Sequence, residues 1–282
     1  MTTAPTHWTD FDKLYNLPDP RPYFRGVETG DYRMPGVMAS ALRRLIPVLA
    51  AGGGEPAKLI DFAAGYGAVG LCLRTGQSMT GLYDYFRTDA STIEDAARFA
   101  DMRAKDGSVA PHQIDAIDIA DRALDYARTC GAIDAAHTDN LVLGPPGPAL
   151  NDALRSADLV YECGAIGDHV STAMSALLAA AAPNRPILLL SPRPRVDLAP
   201  LQAALAGQGY GLKTAVPGIR YRRAFSPSEM REELAAGIRN GYAAEECTVG
   251  DYFRVDLRLA VPEERDSEPL LQALSGLAHD TL

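Results

Sequence analysis

The sequence predicts an α/β protein built on a mostly parallel sheet, and three observations carry that expectation. Short apolar runs that read as strands alternate with helical runs from residue 57 to residue 191, and such alternation means parallel strands joined by right-handed crossovers. The first of these runs, "AKLIDFAAGYGAVGLCLR" (Ala57 to Arg74), ends in an acid and passes through a small-residue turn into a helical pattern. Two late runs, "YGLKTAVPGIRYRRAF" and "DYFRVDLRLAVP", flank the helical pattern "SPSEMREELAAGIRNGY" and suggest an antiparallel edge.

The elements follow in order. The first 35 residues are rich in Pro and aromatics ("LPDPRPYFRGVETGDYRMPG"), with too little periodicity for a core strand or a long helix, so they are expected to lie across a preformed surface as a lid. A helix reads from Val37 to Ala50, with Leu42, Leu45, Ile46 and Leu49 on one face. "AGGGEPA" ends it, and the first strand is expected at Lys58 to Ala63. Two helical patterns, "SMTGLYDYFR" and "TIEDAARFADMRAKDG", stand before the second strand "HQIDAIDI" and the helix "ADRALDYARTCGA". "ADLVYECGA" and "RPILLLSP" read as buried strands around the helix "DHVSTAMSALLAAAAP", and "VPEERDSEPLL" reads as a polar exit. The expected organisation is an N-terminal aromatic lid and helix over 1–50, a cofactor-binding domain over 51–262 and a tail over 263–282.

Composition narrows the function classes. The chain has 282 residues, 47% hydrophobic and 22% charged, as a globular protein with a substantial core does. Its formal charge of -9 disfavours nucleic acid, which needs a concentrated Lys/Arg footprint, and leaves a small-molecule substrate as the expectation. Cys72, Cys130, Cys163 and Cys247 lie far apart with no C-x-x-C pair and no nearby His, so no metal site is expected and a reducing, cytoplasmic setting fits. Asp10 and Asp12 and the lack of an apolar stretch argue against a signal peptide, and no run is long enough to span a membrane.

The turn after the first strand reads Asp61-Phe62-Ala63-Ala64-Gly65-Tyr66-Gly67 against the pattern acid-x-Gly-x-Gly-x-Gly, with Ala63 in place of the first glycine. A small residue suffices there, because the closest backbone approach to a ligand falls at the middle glycine. The spacing does not supply the G-x-G-x-x-G of a dinucleotide site, and an acid at the strand end would repel a pyrophosphate. It suits a cofactor carrying an ammonium and a sulfonium, S-adenosylmethionine. Asp118, with Ile119 after it, ends the second strand where an acid can accept both ribose hydroxyls. It follows Asp61 by far more than the ~20 residues of a compact unit, so the intervening helices are an insertion. Asp139 or Asn140 could bond the adenine amino group, though "TDN" is equally ordinary turn chemistry.

Together "LIDFAAGYGAVGLCLR", "LYDYF", "IDIADRALDYARTCGAID", "DYRMP" and "GDYFRVDLRLAVP" resemble a bacterial family of class I S-adenosylmethionine-dependent methyltransferases acting on small molecules, from about Tyr23 to Pro262. The resemblance implies a Rossmann-like, seven-stranded, mostly parallel sheet with an antiparallel last strand. It also implies cofactor contacts at Asp61, Ala63, Gly65, Gly67 and Asp118.

Methyl transfer requires alignment and exclusion of water more than any one residue, and a base only for a protonated nucleophile. Tyr161 and Glu162 sit at the end of the fourth strand on opposite faces, so one of them should point into the site. Tyr161 could face a sulfonium or be a core aromatic, and Glu162 could orient an amine or act as base. His169 opens the next helix as a candidate base or an exposed helix-start residue. Tyr23 and Tyr32 are lid candidates; Arg33 could pair with a carboxylate of the cofactor or be held by Asp31. "IRYRRAF" looks like a phosphate or acidic-substrate site, but three arginines on an edge strand of a chain of charge -9 read first as a solvated face. The expected function is small-molecule methyl transfer in natural-product biosynthesis. The alternative is a cyclase that turns S-adenosylmethionine into azetidine-2-carboxylate and methylthioadenosine.

Overall fold

The computed structural model describes residues 14–51, 55–105, 109–167 and 170–277. Eight strands form one sheet: β1 (Ala57–Phe62), β2 (His112–Ile117), β3 (Ala135–His137), β4 (Leu159–Cys163), β5 (Ile187–Ser191), β6 (Tyr210–Arg223), β7 (Thr248–Val249) and β8 (Tyr252–Pro262). Their order is β3-β2-β1-β4-β5-β8-β6, with β7 added against β8. β1 to β5 pair in parallel. β8 runs antiparallel to both β5 and β6, with Leu188 opposite Ala260 and Lys213 opposite Leu259.

Seven main strands with an antiparallel last one agree with the expected sheet. The antiparallel strand is interior, however: β8 inserts between β5 and β6, and β6 forms the edge. Its alternation explains the position, since Phe253, Val255, Leu257 and Leu259 bury one face while the residues between them stay half-exposed until the strand enters the core.

Helices cover both faces. α1 (Arg21–Thr29), α2 (Met34–Ala50), α3 (Ala68–Thr75), α4 (Met79–Phe86), α5 (Thr92–Lys105) and α6 (Asp121–Thr129) share one apolar core with Leu59, Tyr161 and Leu189 of the sheet. On the other face, α7 (Pro148–Ser156), α8 (Val170–Ala181) and α9 (Ala199–Ala206) pack against Ile60, Val160 and Leu188. α10 (Pro227–Arg239) and the short α11 (Ala244–Cys247) lie between β6 and β8 in sequence.

Three expectations are corrected. The aromatic N-terminal segment is partly helical: in α1, Tyr23, Phe24 and Val27 bury one face, a period too short to stand out among the prolines. α2 starts at Met34, not Val37, because Pro35 fits the first helical turn. The polar exit after residue 262 holds α12 (Glu268–Leu274), whose Leu270 and Leu274, four apart, bury beside α2. No helix among the described residues is long and apolar enough to cross a membrane.

The insertion between β1 and β2 is tied to the N-terminal segment by a buried polar knot. Asp95 of α5, fully buried, takes the Arg21 guanidinium at 2.7 and 3.1 Å. Tyr85 and Tyr126 donate to the same carboxylate at 2.5 and 2.9 Å. A buried pair is tolerated only when its remaining lone pairs are met in this way.

Candidate functional site

At the C-terminal edge of the parallel strands, where open α/β sheets bind ligands, lies a cavity of about 680 Å³. That volume is within the range of small-molecule sites.

β1 delivers Asp61 to its floor, and the turn that follows supplies Ala63, Ala64 and Gly65. The turn is left-handed at alternate residues: φ is +61° at Ala63, +51° at Gly65 and +69° at Gly67. Alanine thus occupies a conformation natural to glycine, so the first position demands more than small size. Gly67 lies behind the cavity and does not line it. A Cβ there would sit 2.8 Å from Ala132 Cβ and 2.9 Å from Ala127 Cβ, so this glycine serves the packing of α3 against α6.

Asp61 is the most unusual group at the floor. It is 2% exposed, and its Oδ2 has no hydrogen-bond partner among the described residues. Burial pushes its carboxyl up to about 8 against the opposing pull of the Tyr161 hydroxyl, with the Asp118 and Glu162 charges adding to the rise. A cation placed beside this carboxyl would favour its ionised form, which suits the group to a cationic ligand.

Asp118 faces it across the floor. Its Oδ2 accepts the Gly65 amide at 2.8 Å and its Oδ1 the Ala120 amide at 2.9 Å. A carboxylate has about four acceptor sites, so two remain for a ligand. Ile119, 68% exposed, covers the adjoining stretch of wall.

Tyrosines close the cavity. Tyr15 and Tyr23 meet at 5.0 Å between ring centroids and Tyr32 and Tyr221 at 5.1 Å; all four line the cavity. The Tyr32 hydroxyl donates to the Cys163 carbonyl at 3.2 Å. Tyr66 holds the segment before α1 by accepting the Leu17 amide at 2.7 Å, and Asn16 Oδ1 caps α6 by accepting the Arg122 amide at 2.7 Å.

The far end is formed by Arg193 after β5, Tyr221 and Arg222 of β6, Phe225, Glu233 of α10 and Phe253 of β8. Strict alternation would send Tyr221 and Arg222 to opposite faces, but the register shift between Arg220 and Arg223 lets both reach the cavity. The solvated-edge expectation for "IRYRRAF" is therefore corrected. Arg222 Nη2 pairs with Glu229 at 2.6 Å and its guanidinium lies over the Phe225 and Phe253 rings at 4.5 and 5.2 Å.

Several candidate residues stand elsewhere. Tyr161 and Glu162 point to opposite faces as expected, yet neither lines the cavity. Glu162 Oε1 accepts the Ala165 amide and, at 2.9 Å, the Ile166 amide. It thereby fixes the loop after β4, while burial pushes its carboxyl up to about 7. Arg33 Nε donates to Asp31 at 2.7 Å, the alternative left open by the sequence. Asp139 Oδ1 accepts the Gly147 amide at 2.6 Å and Asn140 Oδ1 the Val142 amide at 3.1 Å, which is turn chemistry away from the cavity. His169 lies outside the described residues. No group of side chains suited to a metal ion occurs among the described residues.

Tyr15, Arg193, Tyr221, Phe225, Glu233 and Phe253 were missed from sequence. Arg193 had a signal, since it stands two residues past the C-terminal end of β5, on the edge where parallel sheets bind ligands.

No protein-family model and no curated protein matches the chain. Among solved structures it is similar to DesVI of Streptomyces venezuelae, at 11% identity and TM-score 0.40, covering 91% of this chain and 100% of that one. It is similar to magnesium protoporphyrin IX methyltransferase from Synechocystis PCC 6803 with bound SAH, at 12% and 0.37, covering 91% and 89%. The plantazolicin methyltransferase BpumL in complex with SAH gives 12% and 0.38, covering 87% and 91%.

Proposed function

We propose that the protein is an S-adenosylmethionine-dependent methyltransferase acting on a small molecule. The observation that carries the reading is the Asp61 carboxyl, buried at the cavity floor with Oδ2 unpartnered, beside a left-handed turn and an acid with two acceptor sites to spare. An orphaned buried acceptor of this kind fits a cationic ligand and repels a pyrophosphate.

S-adenosylmethionine, when bound, supplies a methyl group on a positively charged sulfur. Asp61 would hold the cationic end of the cofactor, Asp118 would accept its ribose hydroxyls and Ile119 would cover the base. Ala63 and Gly65 allow the backbone to approach closely. Tyr23 and Tyr32 exclude water and offer π faces to a cation. The chain's remaining task is to hold the acceptor in line. Where the acceptor arrives protonated, Glu233 is the cavity carboxyl placed to take the proton, its affinity for it raised by burial.

The aromatic lining serves the alternative cyclisation equally and favours neither. Incubation with S-adenosylmethionine alone separates the two by the mass of the products. The methyltransferase reading expects almost no turnover, because alignment energy is realised only with an acceptor bound. Rapid release of methylthioadenosine would overturn it.

A further inference from the structure

Two ionisable side chains of opposite sign, the exposed Arg193 and the half-buried Glu233, line the far end of the cavity. Arg193 donates no hydrogen bond from its guanidinium and Glu233 accepts none among the described residues. They are nonetheless within electrostatic reach, since Arg193 opposes the rise that burial imposes on the Glu233 carboxyl. The neighbouring charges are already satisfied: Glu229 accepts Arg222 on both oxygens, at 2.6 and 3.3 Å, and the Phe225 amide at 2.6 Å on Oε2. Around Arg193 and Glu233 the wall is aromatic, from Tyr221, Phe225 and Phe253.

We infer that this end of the cavity takes a free apolar α-amino acid, its carboxylate on Arg193, its ammonium on Glu233 and its side chain against Tyr221, Phe225 and Phe253. The inference rests on the methyltransferase reading, which reserves the Asp61 end for the cofactor. A plain carboxylic acid would satisfy Arg193 but bring a second negative charge beside Glu233. A plain amine would satisfy Glu233 and crowd Arg193. A zwitterion satisfies both and leaves the net charge unchanged, which matters most at Glu233, the half-buried member of the pair. The guanidinium fork adds bidentate geometry for the carboxylate, and an α-amino acid carries both charges on one carbon, within the span of two groups that line one cavity and feel each other's charge.

The test is titration calorimetry on the full chain, free and loaded with S-adenosylhomocysteine, using L-phenylalanine, L-leucine, phenylacetate and phenethylamine as probes. Expected is binding of both amino acids, with phenylacetate and phenethylamine at least tenfold weaker. Arg193→Ala and Glu233→Gln should each weaken L-phenylalanine at least tenfold and leave S-adenosylhomocysteine within twofold, and Arg193→Lys should restore part of the affinity. Phenylacetate binding as tightly as L-phenylalanine would overturn the inference, as would no binding of either amino acid to a protein that still takes S-adenosylhomocysteine. Failure of S-adenosylhomocysteine itself would instead overturn the cofactor reading, with the amino-acid arm still decided on the free protein.

Discussion

Asp61 and Tyr161 are direct register partners on neighbouring parallel strands, and both are buried. Asp61 Oδ2 and Tyr161 Oη lack a conventional hydrogen-bond partner among the described residues, yet the hydroxyl is near enough to pull the carboxyl's pKa down against burial. Tyr161 thus acts on the cavity from behind its floor. Tyr161→Phe should raise the Asp61 pKa further while leaving the affinity for S-adenosylmethionine within about threefold. Carbon-detected NMR titration of the carboxyl checks the first and calorimetry the second.

The same acid sets a pH dependence. With its carboxyl pushed up to about 8, folded Asp61 keeps a proton that the unfolded chain releases near its ordinary value of 3.8. The native state binds the extra proton between those values, so this residue makes stability fall as pH rises across the interval and stops doing so above about pH 8. Asp61→Asn removes the effect. Its thermal midpoint should gain on the wild type progressively from pH 5 to pH 8, and a constant difference over that range would show that Asp61 is ionised throughout.

The glycine turn makes opposite predictions at its two ends. Ala63→Gly relieves a left-handed alanine, worth about 1 kcal/mol, partly offset by the freer unfolded chain. The thermal midpoint should hold or rise slightly. Gly67→Ala adds left-handed strain and overlaps Ala132 and Ala127, and should cost about 2 kcal/mol or more in chemical denaturation.

Cofactor contacts divide by position. Asp118→Ala removes two spare acceptor sites and the bond that holds Gly65, and should weaken S-adenosylmethionine by tenfold or more. Asp139→Ala and Asn140→Ala lie in turns outside the cavity and should change affinity by less than twofold. A large loss in either would restore the adenine contact that the sequence suggested.

The knot at Asp95 holds α1 against the insertion. Asp95→Ala leaves the buried Arg21 guanidinium with Asp19 at 3.0 Å and the Thr88 carbonyl at 2.8 Å and takes away its buried partner, which should cost about 2–3 kcal/mol. Hydrogen exchange over residues 21–29 should accelerate selectively in the variant. In the wild type the same amides should slow when S-adenosylhomocysteine is added, because Tyr23 of α1 lines the cavity.

Sequence by itself determined the alternation of strands and helices, the acid and small-residue turn after β1, and the acid that ends the second strand at Asp118, since each is written in local periodicity and backbone chemistry. It also offered the correct partner for Arg33, two positions away in Asp31. Only the tertiary structure decided which strand-end residues face the cavity. Tyr161 and Glu162 sit where the strand rule places a ligand contact, but their directions depend on the neighbours that β1, β5 and the loop after β4 bring to them. Tyr221, Arg222 and Phe253 line the same cavity as Arg193 because β8 threads between β5 and β6 and the register slips near Arg220. That pairing joins residues distant in the chain, and no local pattern encodes it: a side chain's surroundings are set by long-range packing, whereas its element is set by its near neighbours.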